Sequence, residues 1–145
     1  MRCNEACSVT VWQPGRYLVV KEAGMDYEAY LSSFNSVEDK ETLLEHYAPD
    51  ARIEGANGLT SLDDFLDQLR NVRDGVRVTA VPITVLGDEN RIMAELDITY
   101  LAERDRPDHP MGPLRAGESV TMRFFSSYDL EDGRISRFSR AFWRT

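Results

Sequence analysis

From residue 76 onward the apolar positions recur at every second residue. In "VRVTAVPITVLG", "RIMAELDITYLAE", "GESVTMRFFSSYDL" and "RISRFSRAFWR" this alternation predicts long strands, joined by turn signals at "GDEN" and "EDGR" and by the loop "RDRPDHPMGPLRAG". Earlier in the chain the period is helical. Tyr27, Tyr30, Leu31 and Phe34 fall at i, i+3, i+4 and i+7 after Met25-Asp26, which predicts a first helix. A second helix is expected to start at Ser36 with Asp39 supporting its cap, to turn Leu43, Leu44 and Tyr47 inward, and to stop at Pro49. "ARIEG" then reads as a short strand that breaks at Gly55. Thr60-Ser61 with Asp63 and Asp64 caps a third helix carrying Leu62, Phe65, Leu66 and Leu69. Two β-rich runs around Pro14-Gly15, within residues 8–22, predict an appended hairpin.

Helices first and a meander afterwards predict an α+β domain, with the helices on one face of a curved antiparallel sheet. The expected division is an N-terminal extension over 1–25 and a single domain over 26–145, with Met25 as a candidate alternative start. Alternation also assigns faces. Ile92, Ala94, Leu96, Ile98 and Tyr100 point toward the helices, as do Val120, Met122, Phe124, Ser126, Tyr128 and Leu130. Phe125 then points outward, and a large aromatic side chain there predicts a covered face, most simply one covered by a second copy of the chain.

Composition narrows the classes. At 145 residues, with 42% hydrophobic content and no apolar run near the length needed to cross a bilayer, the chain is read as one soluble domain. A net charge of -8 repels phosphate backbones and anionic lipid, so neither nucleic acid nor membrane is expected as a partner. The absence of a secretory apolar stretch at the N-terminus places it in the cytoplasm. Cys3 and Cys7 read as free thiols near the chain start, because a bridge between them would close a very small loop. Phosphate-binding glycine loops, nucleophile elbows and paired-cysteine metal motifs are missing, which argues against kinases, nucleotide dehydrogenases, serine hydrolases and zinc enzymes.

The order of elements, with "YAPDARIEG" at the helix-to-strand corner and "YDLEDGRISRF" at the last hairpin, resembles the nuclear-transport-factor-2-like superfamily across residues 26–144. That superfamily includes ketosteroid isomerases, SnoaL-like polyketide cyclases and scytalone dehydratase. The resemblance implies a cone-shaped sheet wrapped around three helices, a deep apolar pocket for a small cyclic molecule, and dimers formed through the outer face of the sheet. It also implies where isomerase chemistry would lie. Gly55, directly after Glu54, takes the place of the proton-shuttling aspartate; Ser126 falls near the second carboxylic acid; Tyr30 lies within one position of the tyrosine. Steroid isomerase chemistry is therefore not expected. The Arg-x-Asp arrangement of limonene epoxide hydrolase is also absent, since the matching stretch reads "ELD" and the terminal strand has Ala141.

Candidate catalytic residues are Tyr30, Tyr128 and Ser126 as hydroxyl donors in an apolar cavity, with His109 or Glu54 to move a proton. The bland alternatives are core tyrosines, a solvent-exposed loop histidine and a strand glutamate that points outward. Phe34, Asn57, Phe65, Tyr100, Phe124 and Trp143 are the expected ligand-binding residues. Arg137, Arg140 and Arg144 read either as an anion-neutralising row or as solvated or dimer-bridging cations. His46 and His109 without a supporting carboxylate make no metal site, and no cofactor is expected. The expected function is binding of a small hydrophobic cyclic or polyketide-like compound, with cofactor-free isomerisation, dehydration or cyclisation if it turns over. A non-catalytic ligand- or partner-binding module and an accessory subunit of a larger enzyme are the alternatives.

Overall fold

The computed structural model describes residues 9–12, 17–20, 24–36 and 40–145. Cys3, Cys7, the Pro14-Gly15 turn and Asp39 lie outside them. The two N-terminal runs form the antiparallel pair β1 (Val9–Trp12) and β2 (Tyr17–Val20), with β2 alongside β5 (Val76–Gly87). Helix α1 (Tyr27–Asn35) is capped by Asp26, whose carboxylate accepts from the Ala29 N–H. Ser36 ends α1 as its C-cap, donating its backbone N–H to Ser32, and the stretch 37–39 over which the next helix is expected to start lies outside the described residues.

The second helix ends earlier than the periodicity suggests. α2 covers Lys40–Leu44, and Tyr47, expected on its inner face, already begins strand β3 (Tyr47–Gly55). Pro49 therefore lies within a strand instead of ending a helix. It falls in the irregular stretch between Tyr47 and Arg52, where the ladder to the neighbouring strand is broken and its missing N–H costs no bond. Nor does the chain leave the sheet at Gly55. It turns through Ala56-Asn57 into a strand not expected from the sequence, β4 (Gly58–Ser61), with Gly55 opposite Gly58 at positive φ.

Helix α3 (Leu62–Arg73) starts where its cap predicts, with the Ser61 hydroxyl accepting from Asp64 N–H. β5, β6 (Arg91–Ala102), β7 (Ser119–Glu131) and β8 (Arg134–Arg144) form the antiparallel meander. Asp132 and Gly133 join the last two strands, both at positive φ, as a two-residue type I′ turn requires.

β8 then pairs in parallel with β3, giving a six-stranded sheet in the order β4-β3-β8-β7-β6-β5. Helix α3 touches β3 and β4 near one edge and β5 at the other. In a flat sheet β3 and β5 would stand roughly 19 Å apart, at about 4.8 Å per strand. One helix reaches both only because the sheet curls around it. The architecture is thus α+β, with a curved, unclosed sheet. Its inner rows on β6 and β7 are buried as alternation predicts, from Ile92 to Tyr100 and from Val120 to Tyr128.

Candidate functional site

Between α1, α3 and the inner face of the sheet the curl leaves a cavity of about 350 Å³, within the range of small-molecule sites. Its walls are mainly apolar. Phe34 and Leu31 come from α1, Phe65 and Leu69 from α3, Ile98 and Tyr100 from β6, Phe124 from β7, and Phe138 and Phe142 from β8. The Gly55–Gly58 turn, with Asn57, forms one side of the mouth, and Pro110 and Met111 of the long loop form another.

Four tyrosines converge at the inner end, each 2% exposed or less. The Tyr27 and Tyr128 hydroxyls are 3.0 Å apart, and those of Tyr30 and Tyr47 are 2.6 Å apart. Only Tyr30 and Tyr128 reach the cavity wall, so Tyr27 and Tyr47 act from behind to orient them. Burial raises the pKa of Tyr30, Tyr47 and Tyr128, and of Tyr100 on the opposite wall. These hydroxyls stay neutral and serve as hydrogen-bond donors, not bases. Ser126 is 5% exposed, and its Oγ has no hydrogen-bond partner. It lies close enough to Tyr128 to favour that group's ionised form, yet outside bonding geometry.

The sequence reasoning undervalued Arg140. Its guanidinium carbon stands 5.0 Å from the centre of the Phe65 ring and 5.6 Å from that of Phe138, inside the cavity. Burial lowers its pKa, but a guanidinium begins so far above neutrality that it remains a cation. The signal was available in the alternation of β8. With Phe138 inward, Arg140 and Phe142 follow it inward, while Arg137 and Trp143 turn out.

Three expected site residues lie off the cavity wall. His109 is 4% exposed, so it is no solvent-facing loop residue, and it is not among the residues that line the cavity. Its Nε2 donates to the Val72 carbonyl at 2.9 Å, and its Nδ1 accepts from the Met111 N–H at 3.1 Å. Both nitrogens are committed, because the imidazole ties the loop to a carbonyl that the end of α3 leaves open. Glu54 lies outside the cavity, since Ile53 occupies the inner side, and it pairs with Arg137. Trp143 is half exposed on the outer face, 5.2 Å from the Phe125 ring. Phe142 takes its place in the wall, stacked on Phe124 at 4.7 Å. The remaining expected residues, Tyr30, Tyr128, Ser126, Phe34, Asn57, Phe65, Tyr100 and Phe124, all line the cavity.

Arg106, which the sequence did not single out, fixes the same loop. It is 2% exposed and donates to the carbonyls of Asn71, at 3.0 Å, and Asp74. The mouth thus has a wall pinned to the end of α3. Among the described residues no three His, Cys, Asp or Glu side chains cluster in a way that would hold a metal. Among the described residues no helix is long and apolar enough to cross a membrane.

A curled α+β sheet holding helices over one apolar, donor-lined cavity defines the cone-fold class of small-molecule-binding proteins, some of them enzymes. The SnoaL-like domain model matches residues 27–138, and the chain belongs to that family. Solved structures agree on the fold. IdmH from Streptomyces antibioticus, a candidate polyketide cyclase, superposes with a TM-score of 0.66 at 20% identity, over 80% of this chain and 88% of that one. A SnoaL-like polyketide cyclase from Agrobacterium tumefaciens gives 0.64 at 20% identity, over 81% and 87%. A limonene-epoxide-hydrolase-like enzyme from Mycobacterium tuberculosis gives 0.61 at 16%, over 81% and 79%. At these identities the likeness speaks for the fold alone. No curated protein is significantly similar in sequence.

Proposed function

We propose that the chain binds a small cyclic, polyketide-like or aromatic molecule in the cavity, with a ligand oxygen held at the end where Tyr30, Tyr128 and Ser126 converge. The observation that carries this reading is an apolar chamber whose polar side chains are hydrogen-bond donors. Donors fixed in a water-poor site polarise a carbonyl, because charge developing on its oxygen is stabilised without reorganisation. The chemistry this favours is cofactor-free isomerisation, dehydration or cyclisation, in which Tyr128 and Tyr30 stabilise an enolate. The names of the superposed proteins, polyketide cyclases among them, support that substrate class.

A second reading has its own observation. Among the described residues the lining side chains include no carboxylate and no imidazole, so none of them offers the cavity a base, as in a pure binding module. Deuterium incorporation separates the two. Cyclic ketones are incubated with the protein in D₂O and exchange alpha to the carbonyl is followed by mass spectrometry. Exchange that exceeds the buffer rate and falls in Tyr128→Phe supports the enzyme. Saturable binding with exchange at the buffer rate supports the module.

The proposal extends to assembly. Phe125, Trp143, Met93 and Leu86 stand exposed on the outer face of the sheet, around ion pairs from Arg123 to Glu95 and Asp97. A second copy packed on this face would cover them, and the homodimer is the assembly we propose.

A further inference from the structure

Arg140 is a cation inside an apolar chamber, with no acceptor of its own. Its contacts among the described residues are the faces of Phe65 and Phe138, and no ion pair or hydrogen bond engages it. The ring faces offer partial compensation, but they leave the guanidinium N–H groups without oxygen partners. Other arginines on the sheet and the long loop do have such partners: Arg91 holds Asp129, Arg106 holds Asp108, Arg123 holds Glu95 and Asp97, and Arg137 holds Glu54. Among the described residues no acidic side chain lines the cavity to fill that role for Arg140. A second buried polar atom there, Ser126 Oγ, is also unpartnered.

The backbone leaves this space open. A Cβ built on Gly55 would meet nothing nearer than Arg140 Nε, at 4.0 Å. The β3 position that faces the guanidinium most directly, and could present a carboxylate to it, is a glycine.

Resting on the reading of the cavity as a small-molecule site, we infer that its ligand is an acid. The ligand is a cyclic hydrophobe carrying a carboxylate or an acidic enol, whose anionic oxygens sit on Arg140 and take a hydrogen bond from Ser126. The ligand would supply the counter-charge the protein omits. A planar guanidinium over two aromatic faces suits a flat conjugated acid: its carboxylate pairs edge to edge with the fork while its rings lie among Phe65, Phe124 and Phe138.

The probes are anthracene-2-carboxylate and its neutral carboxamide, titrated by their own fluorescence at neutral pH. The native protein should bind the carboxylate about tenfold to a hundredfold more tightly than the amide, the range of a charge-assisted hydrogen bond to a desolvated ion. Arg140→Met should abolish that preference by weakening the acid alone. Gly55→Asp should do the same with Arg140 intact, by placing an internal carboxylate beside it, so that a folding defect in one variant does not decide the outcome. Arg140→Lys should keep a reduced preference. Equal binding of both probes by the native protein would overturn the inference and leave the pocket reading standing. A preference for the acid that survives in both Arg140→Met and Gly55→Asp would also overturn it. Binding of neither probe would overturn the pocket reading, and the inference with it.

Discussion

Replacing Arg106 by methionine tests whether the long loop is held by the end of helix α3 or by its own charges. The Arg106 side chain is 3% exposed and has two kinds of partner. It donates to the Asn71 carbonyl, which also takes the capping Asp74 N–H at 3.3 Å, and to the carbonyl of Asp74 itself, just past the last turn of α3. It also pairs with Asp108 at 3.3 Å, but that carboxylate is 80% exposed. An ion pair to an exposed acid is screened and contributes little. The bonds to the carbonyls are charge-assisted and buried, worth roughly 1.5 kcal/mol each after allowing for the guanidinium's own desolvation. Arg106→Met should therefore cost about 3 kcal/mol and lower the Tm by roughly 10 °C. Asp108→Asn should leave the Tm nearly where it was. Thermal unfolding followed by circular dichroism measures both, and hydrogen exchange at the Met111 amide reports whether the mouth of the cavity loosens with it. A loss below about 1 kcal/mol in Arg106→Met, or an equal loss in Asp108→Asn, would refute the reasoning.

Asn35 meets the edge strand β5 as another strand would, accepting from Ala80 N–H at 2.7 Å and donating to its carbonyl at 3.0 Å; Asn35→Ala should cost about 1–2 kcal/mol in urea unfolding. Gly24→Ala would drive a Cβ into the Glu89 carbonyl oxygen and should lower the Tm by several degrees, whereas Gly55→Ala meets nothing nearer than Arg140 Nε at 4.0 Å and should be tolerated; parallel melts decide. The buried tyrosines predict an alkaline limit. Tyr30, Tyr47, Tyr100 and Tyr128 have folded-state pKa values raised by burial, so above about pH 10 the unfolded chain loses protons that the folded chain keeps. Stability should be intact below that pH and fall above it by about 1.4 kcal/mol per pH unit for each tyrosine, with the tyrosinate absorbance of these four rising only as the protein unfolds. On the outer face, Phe125→Glu should convert the proposed dimer to a monomer in sedimentation velocity, and a native chain that sediments as a monomer at micromolar concentration would end that proposal.

Alternation along a strand is a local property, imposed by the pleat on any chain with one face buried. For that reason the inner rows of β6 and β7, the outward Phe125, and the places of Tyr128 and Ser126 were legible in the sequence. So were Tyr30 and Phe34, whose helical spacing is equally local. The caps at Asp26 and Ser61 and the Asp132-Gly133 turn needed only neighbouring residues. Tertiary contacts decided the rest. Tyr47 had the spacing of a helix, but it became a strand residue because its hydroxyl reaches Tyr30 and its backbone lies beside Ile135. The parallel pairing of β3 with β8 joins segments more than eighty residues apart, and no local pattern encodes it. His109 was buried by carbonyls that only the end of α3 could place. Arg140 carried the inward phase of β8 in its sequence, yet what makes it matter is the absence of any acid opposite it. That absence is a property of the assembled cavity, because a charge finds its partner or fails to find one in space and not along the chain.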